Sequence, residues 1–331
     1  MRLQVPFIQL PLLFDAARLA DEVGRIDDSH WRPHPQGFEG NSMLPLVAVS
    51  GNPDDESFAG SMQPTPALAS SPTLRQVFAS LGATIGRSRL MRLSGHAEVA
   101  RHADQGYYWA ERVRVHVPIV TQPSVRFECG DAVINMAAGE CWIFDTWRQH
   151  RVLNDAVQSR IHLVVDTVGG EQFWSMLAGA RPHTAPRGPG IWEPRRVAPT
   201  DAESSFACER VNVPVVMTPW ELNAHMGQLM ADAQPHPNLQ PVRQATMRFA
   251  RAWHGLWSRF GDAPDGHDAF RELLARYLAE VARPAQPLVL NNQLRWFDAM
   301  QVMVARAAVV ADASPSAVAT GEDQRRMGDN A

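Results

Sequence analysis

Apolar and polar positions alternate with a period of two through the middle of the chain. In VRVHVPIV (113–120), Val113, Val115 and Val117 fall on one side and Arg114 and His116 on the other, which predicts a strand. VRFEC (125–129), AVINM (132–136), CWIFD (141–145) and RIHLVVD (160–166) continue the series, broken by turns at Gly130-Asp131 and Gly139-Glu140. In RIHLVVD, Arg160 and His162 share one face, and Ile161, Leu163 and Val165 share the other. Short strands without intervening helices predict a sandwich or barrel rather than a doubly wound sheet.

The period changes on both sides of this block. Ala17, Leu19, Val23 and Ile26 predict a helix over 15–26 with Asp15 as its cap. Ser71-Pro72 opens a second helix whose stripe is Leu74, Val77, Phe78 and Leu81, and Gly82 closes it. Residues 32–70 are rich in Gly, Asn and Pro and lack a clear period, so they read as a long cover over a site. Helical spacing returns after 218, where Thr218-Pro219-Trp220-Glu221 forms a capping box, and continues over 218–232, 240–261, 267–282 and 291–310. The stretch 181–200 holds five prolines and two glycines and reads as a linker or surface strap. The resulting plan is a β-rich domain over 1–180, a Pro-rich strap over 181–217, a helical region over 218–312 and a disordered tail over 313–331. The tail assignment rests on composition alone.

Composition narrows the chemistry. All 31 cationic residues among the 331 are arginine. Without lysine there is no Schiff-base chemistry of the pyridoxal phosphate kind and no Walker A loop. A buried anion must therefore be met by Arg or His. The formal net charge of -4 gives no reason to expect a nucleic-acid partner. Cys129, Cys141 and Cys208 form no CxxC pair, which fits a reducing cytoplasm better than a disulfide scaffold. Pro6, Pro11 and Asp15 interrupt the apolar N-terminal stretch, so it reads as a strand and a helix rather than a signal peptide. No stretch reaches the ~20 apolar residues of a membrane span.

The candidate chemistry lies in 101–170. His102-Ala103-Asp104 puts an imidazole and a carboxylate two residues apart, on one face if both lie in a strand. With His150 these residues make a two-histidine, one-carboxylate set, which leaves positions open on Fe(II). Taken singly, each element also has an ordinary reading as surface or core polarity. Arg160 opens an apolar strand, where a bare guanidinium is costly unless an anion meets it. A structural Asp or Glu could supply that anion as well as a ligand could.

Five motifs in order carry a resemblance to a known family. They are His102-x-Asp104, Arg114-Val-His116-Val-Pro118, Gly139-Glu-Cys-Trp-Ile-Phe-Asp145, His150-Arg-Val-x-Asn154, and Arg160-Ile-His-Leu-Val-Val-Asp166. Over about 85–170 this resembles the aspartyl/asparaginyl β-hydroxylases, a branch of the Fe(II)/2-oxoglutarate-dependent dioxygenases. The resemblance implies an α+β protein: a double-stranded β-helix, or jelly roll, with flanking helices, followed here by the mainly α-helical C-terminal region. It implies that His102, Asp104 and His150 bind Fe(II) and that Arg160 holds the distal carboxylate of 2-oxoglutarate. Arg114 and His116 face that cosubstrate, and O2 is the oxidant. Animal members have Gly at the position of Asp104, so this chain looks more like the branch that includes free-amino-acid proline hydroxylases.

The expected substrate is an amino acid, a peptide or a protein side chain. Tyr108, Trp109, Arg92 and Arg148 are the candidate substrate contacts, with Tyr107 beside them. No nucleic-acid or membrane partner is expected, and the helical C-terminal region reads as a lid, a partner dock or a homodimer surface. Two other readings stay open: a cupin-like metal enzyme that does not use 2-oxoglutarate, and a non-catalytic binding protein built on the same fold.

Overall fold

The computed structural model describes residues 1–35, 37–200 and 202–310. The disordered tail expected over 313–331 lies outside the described residues. The chain divides into two compact units. Among the described residues, the first holds those of 1–104 and 111–210, and the second holds 105–110 and 211–310.

The first unit is a jelly roll. Its larger sheet is built on β1 (Phe7–Leu13), β2 (Asn41–Val49), β3 (Thr84–Leu93), β5 (Val113–Val120), β8 (Glu140–Phe144) and β10 (Arg160–Gly169). These run in the order β1-β8-β5-β10-β3-β2, all antiparallel. The smaller sheet has β4 (Glu98–His102), β9 (His150–Asn154), β6 (Val125–Cys129) and β7 (Ala132–Ile134), in that order.

Both faces of the larger sheet are covered, by different partners. Leu90, Val113, Val115, Val117, Leu163 and Val165 point to the outer side. There they meet Leu19 and Val23 of α1 (Ala16–Val23), Leu74, Val77 and Phe78 of α2 (Pro72–Ser80), and Phe173. The inner side packs on the smaller sheet through Phe7, Leu93, Phe127, Trp142 and Phe144. The alternation therefore sorts two kinds of buried surface. The apolar set makes the helix-backed core, and the set carrying Arg and His lines the space between the sheets.

Several expectations need adjustment. Residues 32–70 are not a plain cover, because they contain the nine-residue strand β2. Pro45 hides it from a sequence reading, since proline cannot donate in a ladder. The ladder tolerates Pro45 because the register with β3 shifts between Pro45 and Val47. The Pro-rich stretch runs along the sheet edges: Arg181–Pro182 and Arg195–Arg196 pair with β1, and Ala207–Cys208 pairs with β3.

In the second unit, the expected helices are α3 (Pro219–Asp232), α4 (Leu239–Phe260) and α5 (His267–Ala285). Thr218 caps α3 by accepting from the Glu221 N–H at 3.3 Å. Trp253 of α4 packs at a tilt on Phe270 of α5, and Phe249 lies flat on Tyr277. The last expected helix shortens to Trp296–Met300 plus one wide turn at Gln301–Ala305. No helix among the described residues is long and apolar enough to cross a membrane.

Candidate metal centre

The register of the smaller sheet brings the two histidines together. His102 ends β4, His150 begins β9, and the two are ladder partners with ring centroids 4.3 Å apart. Asp104 is not on the strand, which stops at His102. Its backbone N–H donates to the Thr146 carbonyl at 2.9 Å, and this tether, rather than strand alternation, aims the carboxylate. One ligating atom from each of His102, Asp104 and His150 lies within 4.8 Å of the others.

The tautomers follow from the hydrogen bonds. His102 Nδ1 is 2.7 Å from the Ala100 carbonyl, and His150 Nδ1 is 2.9 Å from the Arg148 carbonyl. A carbonyl only accepts, so each Nδ1 carries the proton and each Nε2 keeps a free lone pair. His150 is buried, and that burial, with His102 beside it, pushes its pKa down to about 3. The ring is neutral at ordinary pH, which is the ligating form. Burial works to raise the Asp104 pKa, but Arg114, His150 and His102 outweigh it and hold it below the usual carboxylate value.

Arg114 touches the metal side of the site. Its Nη1 lies 2.9 Å from Asp104 Oδ2, and its Nε donates to Asp166 Oδ1 at 3.1 Å. It occupies one oxygen of Asp104 and leaves the other toward the histidines, where Oδ1 is 3.9 Å from His102 Nε2.

Further along the same inner face lies a second group. β10 presents Arg160 and His162, and β5 presents His116 opposite Val164. His116 and His162 meet through their Nδ1 atoms at 3.4 Å. Arg160 is 3% exposed, and its buried Nε and Nη2 have no partner, nor do the buried Nε2 atoms of His116 and His162. Burial alone brings the Arg160 pKa down to about 9, so the group is still a cation at neutral pH. Burial first and Arg160 second push both histidines well below their ordinary values, so they are neutral. Phe127 and Phe144 each pack on both His116 and His150, so they line the space shared by this group and the metal centre.

The other candidates have the following partners. Arg92 is engaged at the surface, donating to Asp28 at 2.7 Å and to Ser42 at 3.1 Å and lying over the Trp31 ring. Arg148 is held by Asp145 at 3.0 Å. Tyr107, Tyr108 and Trp109 form a short helical turn assigned to the second unit. There the Tyr107 hydroxyl donates to Glu221, and the rings of Tyr108 and Trp109 meet edge to face. Sequence reasoning passed over His162, Asp166, Arg87 and Arg89 as site residues. The readable signal was the polar pairs two residues apart in the apolar strands GRSRLMRL and RIHLVVD, Arg87 with Arg89 and Arg160 with His162.

Fold and site together define a jelly-roll protein with a histidine–aspartate–histidine cluster between its sheets. Residues 58–169 match the model of the Aspartyl/Asparaginyl beta-hydroxylase family. The matched segment spans every residue of the cluster and the Arg160 group. Among solved structures, one similar chain is an oxidoreductase of the 2OG-Fe(II) oxygenase family from Burkholderia pseudomallei. It is 14% identical, covers 47% of this chain and 81% of its own, and has a TM-score of 0.35. Another is a prolyl-4-hydroxylase from Pseudomonas putida, 18% identical, covering 50% of this chain and 92% of its own at a TM-score of 0.32. A predicted oxalate decarboxylase from Thermotoga maritima is 12% identical, covering 41% and 89% at 0.25. No curated protein matches the chain.

Proposed function

We propose that the protein is an Fe(II)- and 2-oxoglutarate-dependent dioxygenase that hydroxylates an unactivated C–H of an amino acid, a peptide or a protein side chain. The observation that carries this reading is Arg160. It is a buried guanidinium whose Nε and Nη2 meet no partner among the described residues, in a fold that also brings together three residues suited to hold a divalent metal. A metal enzyme that used no dicarboxylate would have no need for it.

The donor set fits the metal. Two imidazoles and one carboxylate suit Fe(II) and leave positions for further ligands. When bound, the iron and 2-oxoglutarate supply the oxidising power, with O2 as the oxidant and succinate and CO2 as products. The chain's own residues do the rest. The Ala100 and Arg148 carbonyls hold the two rings in the ligating tautomer. Arg114 fixes Asp104, and Asp166 fixes Arg114. Arg160 takes the tail carboxylate of the cosubstrate with a bidentate fork, and whichever of His116 and His162 accepts in their Nδ1–Nδ1 contact carries its proton on Nε2 and donates it to that carboxylate. Phe127 and Phe144 keep the space dry, which strengthens each of these interactions. The three free cysteines suit a cytoplasmic setting for this enzyme.

Arg160→Met tests the reading. The substitution keeps the apolar packing of the side chain and removes the fork. Losing one partner of a desolvated charge pair costs roughly 3–5 kcal/mol, which is about two to three decades in apparent 2-oxoglutarate affinity. Iron content should not change. Equal 2-oxoglutarate dependence in the variant and the wild type would defeat the assignment.

A further inference from the structure

α4 carries four arginines and neither Asp nor Glu over its 22 residues. Elsewhere 27 arginines stand against 35 acidic residues, so the rest of the chain has a net charge of -8. A positive helix is thus set in an acidic protein. Val242, Phe249 and Trp253 are buried on one side of it. Arg243 and every fourth residue after it, Met247, Arg251, Gly255 and Arg259, are exposed. Residues four apart line up along a helix, so these five make one continuous ridge on the opposite side. At 1.5 Å rise per residue the ridge is about 24 Å long.

The helical unit answers little of this charge. Arg248, beside the ridge, pairs with Glu280 of α5. Among the described residues Arg243, Arg251 and Arg259 form no ion pair. Neighbouring α5 shows the ordinary pattern, in which Arg271 meets Asp268 and Arg276 meets Glu272 one turn away. α4 has no acid to do the same. Arg248 and Arg251 are three apart, where like charges repel. No acidic residue occupies the first turn to meet the positive end of the helix dipole. Folding alone gives no return for that arrangement.

Gly255 is a second, independent sign. Glycine in a helix interior is less stable than a residue with a side chain. Nothing in the fold requires it here, because among the described residues no neighbouring atom lies within 4 Å of the place a Cβ would take. The missing side chain leaves a notch between Arg251 and Arg259, one turn to either side, where another backbone can come close. Met247, 52% exposed, gives the ridge an apolar contact. Arginine and methionine around a point of close approach are what protein interfaces favour.

We propose that this ridge docks an acidic segment of a partner protein. The carboxylates of the segment pair with Arg243, Arg251 and Arg259, and its backbone passes closest at Gly255. A segment of about seven extended residues spans the ridge. A nucleic acid fits less well, because a long polyanion would run past the helix onto a chain that is otherwise acidic. The inference does not rest on the dioxygenase reading, since none of these residues belongs to the metal centre or to the Arg160 group.

The test uses the full chain and a fluorescein-labelled decapeptide of alternating Glu and Ala, followed by fluorescence anisotropy. Wild type should bind it saturably, the same peptide with Gln for Glu should not bind, and affinity should fall as salt rises. Arg251→Glu should weaken binding by about 10-fold or more. Gly255→Leu should weaken it comparably while keeping or raising the helical circular dichroism signal, so that the loss is not a folding defect. Arg276→Glu, on α5, should bind as wild type does. Absence of binding to the Glu peptide overturns the proposal, as does equal affinity in wild type and Arg251→Glu, or in wild type and Gly255→Leu. Tighter binding of a duplex oligonucleotide than of the peptide overturns it in favour of a nucleic-acid surface. A wild-type dimer that both variants turn into monomers in sedimentation overturns it in favour of a second copy of the chain.

Discussion

His102 and His150 each have one ring nitrogen committed to a backbone carbonyl and one left over, and Asp104 has one oxygen committed to Arg114. Removing a leftover atom should therefore disable the centre without unfolding the chain. His102→Ala and His150→Ala are expected to lose turnover and bound iron while keeping the wild-type circular dichroism spectrum. Near-normal iron-dependent activity in either variant would remove the metal assignment. Asp104→Gly is expected to be milder in iron affinity but still severe in activity. Arg114 would lose one of its two carboxylate partners, and the metal its only carboxylate from this cluster, because the pocket is built around that group. The metal motif was legible in the residues His102, Asp104 and His150. The tautomers were not, because they depend on which carbonyl each ring meets.

At the scale of elements, the turn before β8 carries a constraint that a single atom can test. Gly139 has φ +82°, and a Cβ there would lie 2.3 Å from the Phe14 carbonyl oxygen, which accepts no shift without moving β1. Gly139→Ala should cost about 1–3 kcal/mol in denaturant unfolding, and β1, which pairs with β8, should be the first element to lose hydrogen-exchange protection. The strands themselves explain what was legible at this scale. β5 and β10 alternate cleanly because one face meets helices and the other a polar interior. β2 was missed because Pro45 interrupts it and a register shift absorbs the proline, a remedy only the partner strand reveals. Asp104 was expected on the strand with His102. It sits past the strand end instead, since its N–H is taken by Thr146 rather than by a ladder.

For the whole molecule, the buried neutral histidines set the response to acid. His116, His150 and His162 all have folded pKa values below the ordinary 6.5, with burial the first cause of each. The unfolded chain binds more protons than the folded one below about pH 6.5, so stability falls as pH falls through that range. Each such histidine costs about 1.4 kcal/mol one unit below its unfolded pKa. The metal-free protein should therefore melt about 5–10 °C lower at pH 5.5 than at pH 7.5. His162→Asn should remove about a quarter of that difference, since burial lowers the His34 pKa as well, and a flat melting temperature over this range would contradict the buried neutral state. We also propose that residues 181–217 act as a strap between the 1–180 and 218–312 regions. Limited proteolysis should then cut within 183–206 before it cuts within 112–166.

Binary patterning by itself determined which strands form the middle of the first unit, which of their faces is apolar, and which residue types stand ready for a metal and an anion. These are local properties: a period of two, a turn residue, a His two positions before an Asp. Only the tertiary structure decided that Arg114 is spent on Asp104 and Asp166, that Arg92 is spent on Asp28, and that the buried Nε and Nη2 of Arg160 meet no partner among the described residues. A guanidinium reads the same in any sequence. Whether it is a structural clamp or a vacant anion site depends on which carboxylates the register of other strands brings within about 3 Å, and that distance is a property of the folded sheet, not of the strand that carries the arginine.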